Sequence, residues 1–209
     1  MTGASVRRRD DGSIELRVNG VFVMDDVETS SERALARSVL ATGARDVLVG
    51  GLGLGFTARE LLADPAVARV TVAEIHAEIP QWMRDATIGG AELFDDARFS
   101  LHIGDVRDIV DSVPAASLDA ILLDVDNGPD FLVYEDNAAV YQSAFIQVCA
   151  DRLRTGGHLS LWSQADSAPL RAALAEHFAG VTVESLPVNL QGRAENYWIL
   201  RGTGPKAPR

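Results

Sequence analysis

Two short β-type runs open the chain. Residues 13–18 and 21–24 flank Asn19-Gly20, and Asn-Gly between β-formers predicts a two-residue hairpin. The segment TSSERALARSVLATG follows. Ser30 or Ser31 can cap it, Ala34, Leu35 and Val39 share a face, and Gly43 ends it, so a helix is expected. From Asp46 the pattern changes to apolar runs alternating with helical periodicity. Strands are predicted at 47–49, 70–73, 99–103, 118–123, 158–162, 181–186 and 196–201. Helices are predicted at 56–63, 77–87, 106–111, 137–153 and 169–178. Near-continuous apolar strands such as VLVGG and AILLDV suit a parallel sheet covered on both faces. The pattern implies an α/β fold: a doubly wound, seven-stranded, mostly parallel sheet with a hairpin and helix in front. The expected organisation is an appendage over 1–43, a main domain over 44–202 and a frayed Gly/Pro-rich tail over 203–209.

Composition narrows the class. With 47% hydrophobic and 23% charged residues among 209, the chain has the makeup of one globular domain. The net charge of −11 argues against a nucleic-acid partner and suits a cationic, amine-bearing small molecule. No apolar run reaches the ~18 residues of a membrane span, and MTGASVRRRDDG has no apolar run behind its basic cluster, so a cytoplasmic protein is expected. Cys149 stands alone, and the four histidines have no ligand spacing, so no metal site is expected. The leading hairpin offers an edge for pairing across a two-fold axis, which would give a homodimer.

The candidate chemistry starts at DVLVGGLGLGFTARELL, a strand, glycine turn and helix. Gly50, Gly51, Gly53 and Gly55 permit a tight turn and close approach of backbone to a ligand. Glu74 ends the next strand, nineteen residues past Gly55, where an acid can bind both ribose hydroxyls of an adenosine. A Rossmann-like nucleotide site follows. The dinucleotide fingerprint is broken by Phe56 (counting from Gly51) or Leu52 (counting from Gly50), and no phosphate-cradling lysine is present. The loop therefore favours a methionyl-adenosine cofactor over a dinucleotide. Gly104-Asp105 follows the third strand; Asp105 suits either the adenine amine or the N-cap of the next helix. Ile75 and Val106 adjoin the two acids and complete the expected adenosine site.

The fourth strand ends in AILLDVDNGPDFLVYEDN. Asp124 sits at a strand terminus beside the expected switch point of the sheet, where ligands bind in such folds. A carboxylate there can orient an amine and accept its proton. Asp126, Asn127, Asp130, Tyr134 and Trp162 are the candidate substrate contacts. Edge-of-core packing is an equal reading for Trp162, and His76 reads as a surface residue near the ribose.

These motifs give a resemblance. VGGLGLGFTARELL, VTVAEIHAEI, IGDVRD, AILLDVDNGPD and LRTGGHLSLWS resemble the spermidine synthase-like branch of the class I S-adenosylmethionine-dependent transferases. RVNGVFVMDD and the helix after it are similar to how aminopropyltransferases begin. The resemblance implies ribose binding by Glu74, adenine contact by Asp105 and amine deprotonation by Asp124. It also exposes departures. The family's GGGDGG loop carries an acid for the aminopropyl ammonium, and that position is Gly53 here. The second acid of its DSSDP motif aligns with Asn127, and TSSERAL lacks the gatekeeping Gln and Tyr. From these departures the expected function is methyl transfer from S-adenosylmethionine to a small amine. Aminopropyl transfer from decarboxylated S-adenosylmethionine is the alternative, and a non-catalytic nucleotide-binding or assembly module is the third.

Overall fold

The computed structural model describes residues 3–207. Its centre is a seven-stranded sheet built from β4 (Asp46–Gly50), β5 (Arg69–Glu74), β6 (Phe99–Ile103), β7 (Leu118–Leu123), β8 (Leu153–Ser163), β9 (Phe178–Leu190) and β10 (Arg193–Pro205). The spatial order is β6-β5-β4-β7-β8-β10-β9, with β10 antiparallel to both neighbours and β4, β5, β6, β7 and β8 parallel. The order reverses between β4 and β7, which is the switch point of the sheet.

The apolar strands are buried on both faces because each face has its own helices. Val47, Val49, Val70, Val72 and Leu122 pack with α1 (Ser30–Leu40), α2 (Phe56–Leu62) and α3 (Glu78–Arg84) through Leu35, Val39, Leu61, Ile79 and Met83. The alternate residues Leu48, Ile121 and Leu123 face α4 (Val106–Ser112), α5 (Ser143–Arg152) and α6 (Ala168–His177) through Val110, Ile146, Cys149 and Leu174. The two-residue period of the strands thus divides the core into two layers.

The expected hairpin is present as β2 (Ile14–Val18) and β3 (Val21–Asp25) around Asn19 and Gly20, both at positive φ. A strand not anticipated, β1 (Ala4–Arg8), pairs antiparallel with β2 and makes the appendage a three-stranded sheet. Its sequence reads as a basic cluster because the charges have a local purpose. Arg9, just past β1, lies 2.9 Å from both Glu15 and Asp25, acids that are each 2% exposed. This sheet joins the first core layer through Ile14, Leu16 and Met24.

Three boundaries differ from expectation. The helix expected over 137–153 is a 3-10 turn, Glu135–Tyr141, followed by α5, with the break at Gln142 in extended conformation. β9 and β10 are longer than their apolar cores because Gln191 and Gly192, both at positive φ, close them into a hairpin. The fraying expected from 203 onward is absent through residue 206. Thr203 pairs with His158 and Gly180, Pro205 pairs with Phe178, and Lys206 donates to the carbonyls ending α6. Residues 208 and 209 lie outside the described residues. Among the described residues no helix is long and apolar enough to cross a membrane.

Candidate active site

The carboxyl ends of β4, β5, β6, β7 and β8 converge on a cavity partly open to solvent. The N-terminal sheet roofs it with Leu16, Val18, Val23 and Met24. The glycine turn makes the floor. Gly51 has φ 94°, and a Cβ there would stand 2.1 Å from the backbone oxygen of Asp124. Only glycine lets the β4 and β7 ends approach so closely. Gly53 has φ 50°, and a Cβ would meet the Met24 sulfur at 2.7 Å. The same sulfur accepts from the Leu54 amide at 3.3 Å. Gly50 and Gly55 shape the turn without lining the cavity: Gly50 ends β4, and Gly55 is the N-cap of α2.

Glu74 ends β5 and is 5% exposed. One carboxylate oxygen accepts from the Leu52 amide and the other from the His76 amide, each at 2.8 Å. These bonds hold the group in place, while burial raises its pKa. Each oxygen keeps a lone pair for a ligand hydroxyl. Ile75 is 56% exposed beside it, an apolar surface at the cavity edge. Asp105 caps α4 through the Arg107 amide at 2.8 Å. The Arg107 guanidinium, bonded to both its oxygens, holds Asp105 below the usual carboxylate range. Asp105 therefore caps a helix and lines the cavity at once, with Gly104 and Val106 beside it.

Asp124 follows β7, with its backbone against Gly51 of the glycine turn, and lines the cavity. Burial, reinforced by repulsion from Glu32, pushes its carboxyl up to about 8, against a hydrogen bond from Thr57. Asp126 also lines the cavity, but its carboxylate serves its own loop. It accepts from the amides of Asn127 at 2.7 Å and Val133 at 2.8 Å, and from Asn137 Nδ2 at 2.7 Å. Asn127 is 6% exposed, and its carbonyl accepts from the Gln164 amide. Tyr134 reaches across the mouth to His76, hydroxyl to Nε2, at 3.3 Å. Trp162 packs against Tyr197 with ring centroids 4.7 Å apart and ring planes tilted by 58°, so it is cavity wall and core at once.

A sequence model described as the spermine/spermidine synthase domain matches residues 28–180. The chain belongs to that family. Among curated relatives, Polyamine aminopropyltransferase 2 of Pseudomonas aeruginosa is 32% identical over 146 residues, which is 66% of this chain and 39% of the relative. Putrescine N-methyltransferase 4 of Nicotiana tabacum is 27% identical over 149 residues, 70% of this chain and 36% of the relative. The chain thus spans well under half the length of either. Its fold matches a spermidine synthase solved with the transition-state analogue AdoDATO, with a TM-score of 0.80 and 18% identity over 96% of this chain and 69% of that one.

The structure brings together Gly51, Gly53, Glu74, Ile75, Gly104, Asp105, Val106, Asp124, Asp126, Asn127, Tyr134 and Trp162 around one cavity. Asp130, expected to contact substrate, is exposed on the loop and outside the cavity. Asp126 differs from expectation in being engaged by its loop. Sequence reasoning missed Glu32, the four roof residues and Asn137. Glu32 stands in the first turn of α1, where an acid reads as an ordinary partner of the helix dipole. The roof residues read as plain hairpin core.

Proposed function

We propose that this chain transfers an alkyl group from an adenosyl-sulfonium donor to an amine, with the aminopropyl group of decarboxylated S-adenosylmethionine as the group transferred. The observation that carries the reading is the placement of Glu74 and Asp124 on one cavity within a spermine/spermidine synthase domain. The cavity fits the donor. The glycine turn removes the Cβ atoms that would fill it, Glu74 presents two fixed oxygens to ribose hydroxyls, and Ile75 and Val106 offer apolar surface to adenine. The donor supplies a carbon already bonded to positive sulfur, so no acid is needed at the leaving group. The chain's task is to hold the acceptor nitrogen in line and take its proton. Asp124 receives that proton as the nitrogen lone pair forms the N–C bond and the C–S electrons return to sulfur.

Methyl transfer, the first expectation from the sequence, becomes the second reading. The family match and the aminopropyltransferase relatives weigh against it. Gly53 keeps it in view, because no acid stands at that loop position and Met24 occupies the space instead. Calorimetric titration with S-adenosylmethionine and with its decarboxylated form separates the two. Tighter binding of the decarboxylated form, followed by turnover with a diamine, is the expected result. Binding of the carboxylated form alone would overturn the aminopropyl reading.

A further inference from the structure

The side of the cavity above the glycine turn is closed by one flexible side chain. Met24 comes down from β3 in the roof, and its sulfur stands 2.7 Å from where a Gly53 Cβ would be. The same sulfur sits on a backbone donor. Of the five amides from Gly51 to Gly55, four face oxygen. Gly51 donates to the Ala73 carbonyl and Gly55 to the Leu52 carbonyl, each at 2.8 Å, while the Leu52 and Gly53 amides serve the Glu74 carboxylate. The fifth, Leu54, donates to the Met24 sulfur at 3.3 Å. A thioether is a weak acceptor, so this amide is the least satisfied of the turn.

The sheet order puts this arrangement beside the reacting sulfur of the donor. β4 lies between β5 and β7, so the turn that ends β4 lies between Glu74, offered to ribose, and Asp124, offered to the acceptor amine. A sulfonium bonded both to the ribose arm and to the carbon being transferred therefore sits over the turn, under Met24. The two candidate donors differ by one carboxylate at the far end of a short chain on that sulfur. An anionic group finds little else to receive it here. The cavity is lined by acids, and among the described residues no lysine or arginine lines it. His76 is engaged by the Tyr134 hydroxyl at 3.3 Å and faces Glu78 at 3.5 Å. A carboxylate that leaves water without a donor or a cation to meet it is strongly disfavoured.

We propose that Met24 is the residue that selects the donor: its side chain fills the space, and covers the Leu54 amide, that a carboxylate at the end of the chain would need. The decarboxylated form fits beneath it and the carboxylated form does not. This rests on the transfer reading above. Selection is by exclusion, and Met24 is a specificity residue with no part in the chemical step.

The test uses the whole chain with Met24→Ala, which opens the space and uncovers the amide. Calorimetry measures 5′-methylthioadenosine, which carries the nucleoside alone, decarboxylated S-adenosylmethionine and S-adenosylmethionine. The variant is expected to bind 5′-methylthioadenosine as the wild type does, which also shows that it folds. Its affinity for S-adenosylmethionine is expected to rise about tenfold relative to that for the decarboxylated form. Met24→Val, shorter than methionine and a good strand former, is expected to shift the preference in the same direction and serves where the alanine variant fails to fold. Met24→Leu, which keeps the bulk, is expected to keep the wild-type preference. Equal changes for the two donors in the alanine and valine variants would reduce Met24 to a packing residue and overturn the proposal, as would a leucine variant that shifts as far as alanine does. A wild type that binds the nucleoside and both donors equally well overturns the role of Met24 alone. A wild type that binds none of the three overturns the transfer reading together with it.

Discussion

Asp124 is the proton acceptor of the proposed transfer, and its environment sets a pH dependence. Its carboxyl is pushed up to about 8 by burial and by Glu32, against an ordinary value near ~4 in an unfolded chain. The folded state therefore favours the protonated form. Its contribution to stability is fully present below about pH 4 and is lost as pH rises through about 8. Asp124→Asn cannot ionise, so the variant should melt close to wild type at pH 4 and progressively above it toward pH 8. Thermal melts across that range check this, and a difference that shrinks with rising pH would contradict it. Asp124 was legible in the sequence because an acid directly after the apolar strand residues Ile121, Leu122 and Leu123 has few structural uses. Glu32 was not, because its partner is 92 residues away and meets it only through the fold.

The strand–turn–helix unit from β4 to α2 shows how an element can be fixed at one atom. The 2.1 Å clearance at Gly51 is to backbone, which has no rotamer to change. Gly51→Ala should cost at least about 3 kcal/mol, from left-handed strain plus separation of β4 from β7. Urea unfolding measures it, and a loss under about 1 kcal/mol would show that the turn relaxes. Gly53 differs, since its obstacle is the mobile end of Met24. Most of the central sheet was readable because buried parallel strands are apolar throughout. β1 was not, because an edge strand whose residues are exposed or only half-buried carries charge in place of an apolar period. The ends of β9 and β10 were hidden for a related reason: outer strands are held by ladder hydrogen bonds that the side chains do not advertise.

At the scale of the whole molecule the cavity is shared among three parts that are distant in sequence: the N-terminal sheet, the sheet ends and the loop after β7. The loop hangs on Asp126, and it touches the hairpin tip where Asn19 Nδ2 donates to the Val133 carbonyl at 3.4 Å. Asp126→Ala should release both partners. Hydrogen exchange is expected to speed up by about tenfold at residues 127–137, and also at the 18–21 turn, while α5 keeps its protection. Faster exchange confined to the site of substitution would show that the tip and loop open independently. The residues that meet here were individually readable as hairpin, strand end and turn. Their convergence was not, because no local pattern records which hairpin covers which loop. Their closure has a kinetic consequence. The two contacts spanning the mouth, Asn19 to Val133 and Tyr134 to His76, are 3.4 and 3.3 Å long, at the weak end of hydrogen bonding. Each is worth about 1 kcal/mol at most. Contacts this weak are expected to let the mouth open readily, so on the transfer reading the residence time of a nucleoside is set by the floor of the cavity, Glu74 and the glycine turn, and not by its door.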